Sequence, residues 1–298
     1  IPMVMYKLNQ NDTVSPASLT GIAGVYTTNN TWFTVLFQRL FFNQDNWRIT
    51  AAAGIGNYKF QFFIDAPIYD FVDYASDFKF AYINLNRRIF KRLYGGIHYT
   101  YINYKTNFGD LPTAKETTQH GLGIVFSYDN RSDVYYPRGG FLSDADWSSY
   151  PSFLGNESAS DKIELDHNQY IAIRKDKDVL ALRAKIGIGI GDLPFEQQFI
   201  VGRNDIRGYT EGRYRGNRLV ALQAEYRWNF FKRMSAVGFA GVASMFDSIN
   251  EDHNGKLLPG IGGGVRYNVL EKYHMNVGFD IAVGVDDWGF YFRVGEAF

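Results

Sequence analysis

Apolar and polar positions alternate along most of this chain. From Leu180 to Ile188 the even positions hold Leu180, Leu182, Ala184, Ile186 and Ile188, and the odd positions hold Ala181, Arg183, Lys185 and Gly187. From Val220 to Trp228 the even set is Val220, Leu222, Ala224, Tyr226 and Trp228, set against Ala221, Gln223, Glu225 and Arg227. Leu122 to Tyr128, Met275 to Val283 and Phe290 to Phe298 repeat the pattern. A period of two with opposite polarity on the two faces predicts β-strands. The runs approach or exceed roughly 10 residues, the length of a tilted strand crossing a bilayer, whereas strands of soluble proteins average about 5–6. No stretch of about 18 apolar residues is present, so a transmembrane helix is excluded.

The periodicity places strands at 18–28, 31–42, 46–63, 77–90, 93–106, 118–129, 139–150, 162–174, 178–191, 217–229, 233–246, 257–269, 273–285 and 288–298. The fold class is therefore all-β, a transmembrane antiparallel barrel of about 14 strands, with 16 as the alternative. Short turns at Asn43–Asp45, Lys91–Arg92, Lys175–Lys177, Phe230–Lys232 and Leu270–Lys272 alternate with longer connections at Ile64–Ser76, Asn107–Gln119, Pro151–Asp161, Asp192–Gly216 and Asp247–Lys256. Outer-membrane barrels divide short periplasmic turns from long outer loops in this way, and an even strand count leaves both termini periplasmic. Residues 1–17 read as a periplasmic lead-in and 18–298 as the barrel.

Composition sharpens the picture in three respects. The chain is 17% aromatic, and Trp32, Trp47, Trp228, Trp288 and Phe298 gather near segment ends, as in interfacial girdles. There is no cysteine, hence neither a disulfide framework nor a thiolate metal site. Net charge is zero, which argues against nucleic acid as a partner. No nucleophile elbow or His-Glu-x-x-His motif occurs, and the five histidines are scattered, so no catalytic residue, metal or cofactor is assigned. The alternating Gly187, Gly189, Gly191 and Gly260, Gly262, Gly264 read as relief of crowding rather than as phosphate loops.

One connection stands apart. Gly202 to Asn217 is polar, glycine-rich and carries Arg203, Arg207, Arg213 and Arg215. Glu225, Arg227, Arg266 and Asp280 lie on polar strand faces soon after it. Arginine's planar fork suits bidentate pairing with a carboxylate in a partly dehydrated lumen, so this loop is expected to fold inward, with Gly208 turning its tip.

Ile206-Arg207-Gly208-Tyr209, with five strands following, resembles the Val/Ile-Arg-Gly-Phe/Tyr motif of the BamA/TamA superfamily of outer-membrane assembly and translocation barrels. Asp129-Asn130-Arg131 with Tyr136-Pro137-Arg138-Gly139-Gly140 resembles that family's Asp-x-Arg … Tyr/Phe-Pro-x-x-Gly turn, expected on the periplasmic side. The end of the chain, with Phe292, Gly295 and Phe298, resembles a C-terminal aromatic assembly signal. Gly241 stands where the family carries an aspartate, which moves the expected partner of Arg207 to Glu225 or Asp280. The POTRA domains usual in the family do not occur in this sequence, and the strand count falls below the family's sixteen. The resemblance implies assembly or translocation of proteins in a Gram-negative outer membrane, with the lipid bilayer and other outer-membrane or periplasmic proteins as partners. Two alternatives stay open: a passive scaffold or channel subunit, and the barrel domain of a longer protein with a secreted passenger.

Overall fold

The computed structural model describes residues 2–64, 70–109, 114–175, 177–202 and 205–298. Its strands are β1 (Met3–Tyr6), β2 (Ser18–Tyr26), β3 (Trp32–Phe42), β4 (Trp47–Ile64), β5 (Asp70–Phe90), β6 (Leu93–Phe108), β7 (Lys115–Asp129), β8 (Gly140–Tyr150), β9 (Ser160–Ile173), β10 (Asp178–Gly191), β11 (Phe199–Ile200), β12 (Arg215–Gly216), β13 (Arg218–Phe231), β14 (Met234–Phe246), β15 (Leu258–Leu270), β16 (Met275–Gly284) and β17 (Asp287–Val294). All but β11 and β12 form one antiparallel sheet in which each strand pairs with its sequence neighbours, β10 passing directly to β13. Fourteen of these strands match the periodicity. Met3–Tyr6, expected to lie outside the barrel as part of the lead-in, instead pairs with Ser18–Gly21 of β2. Among the described residues no ladder joins β17 to β1 or β2.

The sheet curls so that one face encloses a lumen. The hydroxyl of Tyr135, in the β7–β8 turn, donates to the carbonyl of Ala17, 2.7 Å away, and Asn250 reaches across to the carbonyl of Phe63. The alternation follows the inside-out rule of a membrane barrel. Along β13, Val220, Leu222, Tyr226 and Trp228 are exposed outward, while Leu219, Ala221, Gln223, Glu225 and Arg227 are buried inward.

Three tall strands break that rule in their upper halves. β4, β5 and β6 have 18, 21 and 16 residues, and most of the stretch Ile64–Ser76 expected as a loop is strand, with Asp70–Ser76 paired to Tyr58–Ile64. The connection 65–69 lies outside the described residues. In the lower halves the outward face carries Ile49, Ile55, Ile83, Leu85 and Ile97, and the inward face Arg48, Asn84 and His98. Higher up, the outward positions become Asn57, Lys59, Gln61, Asp73, Asp77, Lys79, Asn103 and Lys105, and the inward ones Tyr58, Phe60, Phe62, Tyr74, Phe78, Phe80 and Tyr104. Polar side chains pair across the outer face, Asn57 with Asp77 and Gln61 with Asp73, each at 2.8 Å. The inversion marks where the sheet leaves lipid for water: the outer face then prefers polar groups, and apolar side chains gain by turning inward.

At the short-turn end, Asp12 organises the link from β1 to β2. Its carboxylate accepts from the Ser15 hydroxyl at 2.6 Å, from the amides of Val14 and Ser15, and from the Gln44 amide in the β3–β4 turn. The Ser15 hydroxyl, and then the Ser15 amide, hold this carboxyl well below the usual carboxylate range.

Two predictions follow from this architecture. Leu222→Arg, on the outward face near the middle of β13, is expected to lower folding stability in bilayers by about 2–4 kcal/mol. An unchanged urea midpoint would mean that this face does not meet lipid. Because the folded pKa of Asp12 is depressed, its contribution is present above about pH 4 and is lost as pH falls toward the folded value. Hydrogen-exchange protection at Val14 and Ser15 should drop over that window in wild type and be low at every pH in Asp12→Ala, which has no acceptor there.

Candidate functional site

Between β10 and β13 the chain turns into the lumen. β11 and β12 pair, Phe199 opposite Gly216 and Ile200 opposite Arg215, so the loop descends as a narrow hairpin. The Val201 amide donates to the Tyr214 carbonyl at 3.1 Å and continues the stem. Ile206, Tyr209 and Tyr214 pack with Phe199, Val201, Leu219, Ala221, Ala243, Met245 and Leu258 in a dry cluster. Strand glycines make room for it: a Cβ at Gly187 would strike the Phe199 ring, and one at Gly260 the Arg207 carbonyl. Arg203, counted among the loop arginines by sequence, lies outside the described residues.

At the hairpin's tip, Arg207 is 1% exposed. Its Nη1 donates to Asp280 Oδ2 at 2.7 Å on β16, and its Nη2 to Glu225 Oε2 at 2.7 Å on β13. Nε and Nη2 both donate to Gln223 Oε1, at 3.0 and 2.5 Å. The guanidinium lies over the Phe239 ring of β14, 3.3 Å from its centroid. Gly208 has φ +113°, and a side chain there would run into the backbone of Val283. Its amide donates to the Tyr291 hydroxyl at 2.8 Å, while the Tyr209 hydroxyl donates to the Pro259 carbonyl at 2.5 Å. Higher on the loop, Thr210 bonds Asp287 through both its amide and its hydroxyl, and Arg213 donates to the Asp286 carbonyl.

The carboxylates that hold Arg207 also hold other arginines. Asp280 accepts from Arg266 Nη1 at 2.5 Å and from Arg293 Nε at 3.0 Å. Glu225 accepts from Arg227 Nε at 2.9 Å. Arg227 then donates from Nη2 to the Phe298 carbonyl at 2.7 Å and lies 3.6 Å from Glu296, which also contacts Arg266 and Asn276. Loop tip and tail are thereby joined through shared partners. Buried charges carry a large desolvation cost, and here each carboxylate oxygen of Glu225 and Asp280 meets at least one arginine donor, with three converging on Asp280 Oδ2, which offsets it.

The end of the chain divides. Phe292 is 55% exposed on the outer face, its ring tilted against that of Phe279 at 5.2 Å between centres. β17 stops at Val294, four residues before the predicted end of the last strand, because Gly295 takes φ +88° and donates to the Asn276 carbonyl. Phe298 consequently points into the lumen against Tyr170, Val179 and Ala181. The phase of its alternation with Phe290 and Phe292 does not survive the glycine turn.

The β7–β8 turn is a second polar centre. Asp129 accepts from Arg131 Nε and Nη2 at 2.9 and 3.0 Å and from Arg48 of β4 at 2.7 Å. Gly140, with φ +85°, brings the backbone hard against the Asn130 carbonyl. Pro137 and Tyr136 are buried, and the Tyr136 hydroxyl accepts from Asn229 at 2.8 Å. This turn lies apart from the Arg207 contacts, and its Tyr136 ring stands 5.9 Å from Arg227.

Sequence reasoning passed over Gln223, Phe239, Arg293 and Tyr291 as partners of the loop tip. Inward phase was the available signal: Gln223 shares the buried face of β13 with Glu225, and Arg293 shares a face with Tyr291 and Gly295. Arg207→Ala is expected to lower stability by about 1–3 kcal/mol, because Glu225 and Asp280 keep other arginines while Gln223 loses its donor. Arg207→Lys should not recover it, since an ammonium cannot serve three acceptors and stack on Phe239 together. The readout is the temperature at which the folded band is lost in a heat-modifiability gel. Both variants melting with wild type would show that aromatic packing alone holds the loop.

The Omp85 superfamily domain profile matches residues 21–298. Among solved structures, the fold is similar to BamA from Haemophilus ducreyi in a form lacking POTRA domains 1–3, with 12% identity and a TM-score of 0.64 over 99% of this chain and 73% of that one. It is also similar to CdiB from Acinetobacter baumannii, with 13% identity and a TM-score of 0.59 over 98% of this chain and 58% of that one. CdiB from Escherichia coli gives 12% identity and a TM-score of 0.63 over 98% and 61%. The chain thus spans less than two thirds of either CdiB. No curated protein matches it in sequence. The profile covers the inward loop, its strand partners and the tail, and the chain therefore belongs to the Omp85 superfamily as an outer-membrane β-barrel.

Proposed function

We propose that this barrel assists the assembly or translocation of other proteins at the Gram-negative outer membrane, with partner proteins delivering the substrate. Its short turns and both ends of the described chain face the periplasm in this reading, and the long connections face outward. The observation that carries it is the shared set of ion pairs between loop tip and tail. Arg207 and the Glu296–Phe298 tail are tied to the same Glu225 and Asp280 network. The last strand thus shares its restraints with the inward loop, an arrangement suited to a wall that changes state as a unit. A hairpin that fills part of the lumen restricts flow, which disfavours an open diffusion pore. Ile206, Arg207, Gly208 and Tyr209 latch the loop, Glu225 and Asp280 receive it, and Asp129, Arg131, Tyr136, Pro137 and Gly140 shape the periplasmic turn.

Affinity purification of the tagged protein from native outer membranes in mild detergent, followed by mass spectrometry, tests the proposal. Stoichiometric recovery of assembly subunits or periplasmic delivery proteins is expected. Recovery of the barrel alone, or only with itself, would favour a passive scaffold or channel.

A further inference from the structure

At the short-turn end the wall surrounds a cavity of about 650 Å³ whose charges do not balance. Six cations line it, Arg48, Arg88, Lys91, Arg92, Arg131 and Lys272, against the three carboxylates of Asp45, Asp129 and Asp133. Those carboxylates are already occupied. Asp45 meets Arg48 at 2.7 Å and Arg88 at 3.3 Å, and Asp129 meets Arg48 at 2.7 Å and Arg131 at 2.9 Å. Asp133 accepts from the amides of Tyr135 and Tyr136 and lies 3.3 Å from His274.

Lys91, Arg92 and Lys272 are left over. All three are exposed, and none has a carboxylate within 4.0 Å among the described residues. Lys91 and Lys272 stand over the rings of their neighbours Phe90 and Tyr273, at 5.1 and 5.4 Å, and Arg92 gives one N–H to the Asn130 carbonyl. They reach the cavity from the β5–β6 and β15–β16 turns, which are far apart in the sheet, so the excess positive charge spans the mouth. The long connections carry the reverse sign, with Asp192, Glu196, Glu251, Asp252, Asp286 and Asp287, and the chain as a whole is neutral. The surplus therefore belongs to this mouth, and a concave site walled by one sign of charge concentrates the other.

We propose that this mouth receives an acidic segment of a partner protein, a stretch that carries several Asp or Glu side chains. The inference rests on the assembly reading for its cellular role, and it names what a delivering protein presents here. Position disfavours a lipid headgroup. Arg48, Tyr94 and Asp129 line the same cavity from the inner face of the wall, so it lies inside the ring of strands and away from the bilayer. A single small anion would neutralise one of the separated cations and leave the others exposed. Val14, Pro16, Val134 and Tyr135 stand among the charges and offer a peptide contacts that a bare anion cannot use. Complementary charge of this kind sets the choice of partner and speeds its arrival.

The test uses the full chain folded in an amine-oxide detergent at about 0.15 M salt, where distant charges are screened. Calorimetry follows a short peptide of alternating glutamate and glycine, with its glutamine analogue as control. The acidic peptide should bind saturably and the glutamine peptide should not. Lys91→Glu/Arg92→Glu/Lys272→Glu should weaken binding about tenfold or more. Lys59→Glu/Lys79→Glu/Lys105→Glu changes the net charge equally on the outer face of the tall strands and should leave binding unchanged. Heat-modifiable mobility establishes that each variant is folded, and Lys91→Gln/Lys272→Gln serves if the triple reversal at the mouth is not. No saturable binding, equal binding of the glutamine peptide, or equal loss in both triple variants overturns the proposal. So does displacement of the peptide by inorganic phosphate or short-chain phosphatidylglycerol at equal charge. In the affinity purification from native membranes, a delivery protein recovered equally by wild type and the mouth variant overturns it while the assembly role stands. Saturable peptide binding with no delivery protein recovered counts against the assembly reading alone.

Discussion

Arg207 is the residue on which the interior depends. One guanidinium joins β13, β14 and β16 through Gln223, Glu225, Phe239 and Asp280, and it does so from a loop more than 70 residues before its farthest partner. Its worth lies in geometry: five donors in one plane serve several acceptors while the flat face rests on an aromatic ring. The surrounding arginines make the site cooperative. Asp280 alone takes three, so displacing any of them redistributes the others.

That arrangement also explains the asymmetry of the lumen. The half bounded by β13–β17 is filled by the hairpin tip, its buried ion pairs and the inturned tail. The half bounded by β3–β6 is lined with aromatics. The tall strands rise beyond the lipid, and with water on both sides their apolar residues gain most by facing inward, where Phe62 and Tyr74 meet Phe195 of the descending loop at 5.0 and 5.3 Å. A single chain thus uses one rule of burial twice with opposite sign, and the solvent outside the wall decides which applies.

Much of this was legible beforehand in particular residues. Period-two runs such as Val220–Trp228 located the long strands, and the arginine-glycine loop pointed inward because carboxylates stood on the following polar faces. Glu225 and Asp280 were readable as partners for the same reason. Asp70–Ser76 was not readable as strand, since Asp70, Asp73 and Ala75 resemble a loop when lipid is assumed outside. Met3–Tyr6 was too short to show a period. Phe298 kept its phase in sequence and lost it in space, because one glycine in the left-handed region turns the backbone.

The sequence by itself determined the class of the fold, the positions of the long strands, the polarity of each face within the membrane and the identity of the loop that enters the lumen. Those follow from local periodicity and from side-chain chemistry, which act over a few residues. The tertiary structure alone decided which arginine meets which carboxylate, that Gln223 and Phe239 complete the Arg207 site, that the tail folds inside, and that aromatics of β4–β6 form a chamber. Each of these depends on distances between residues far apart in the chain, set by strand register and the curl of the sheet, and no local pattern encodes them.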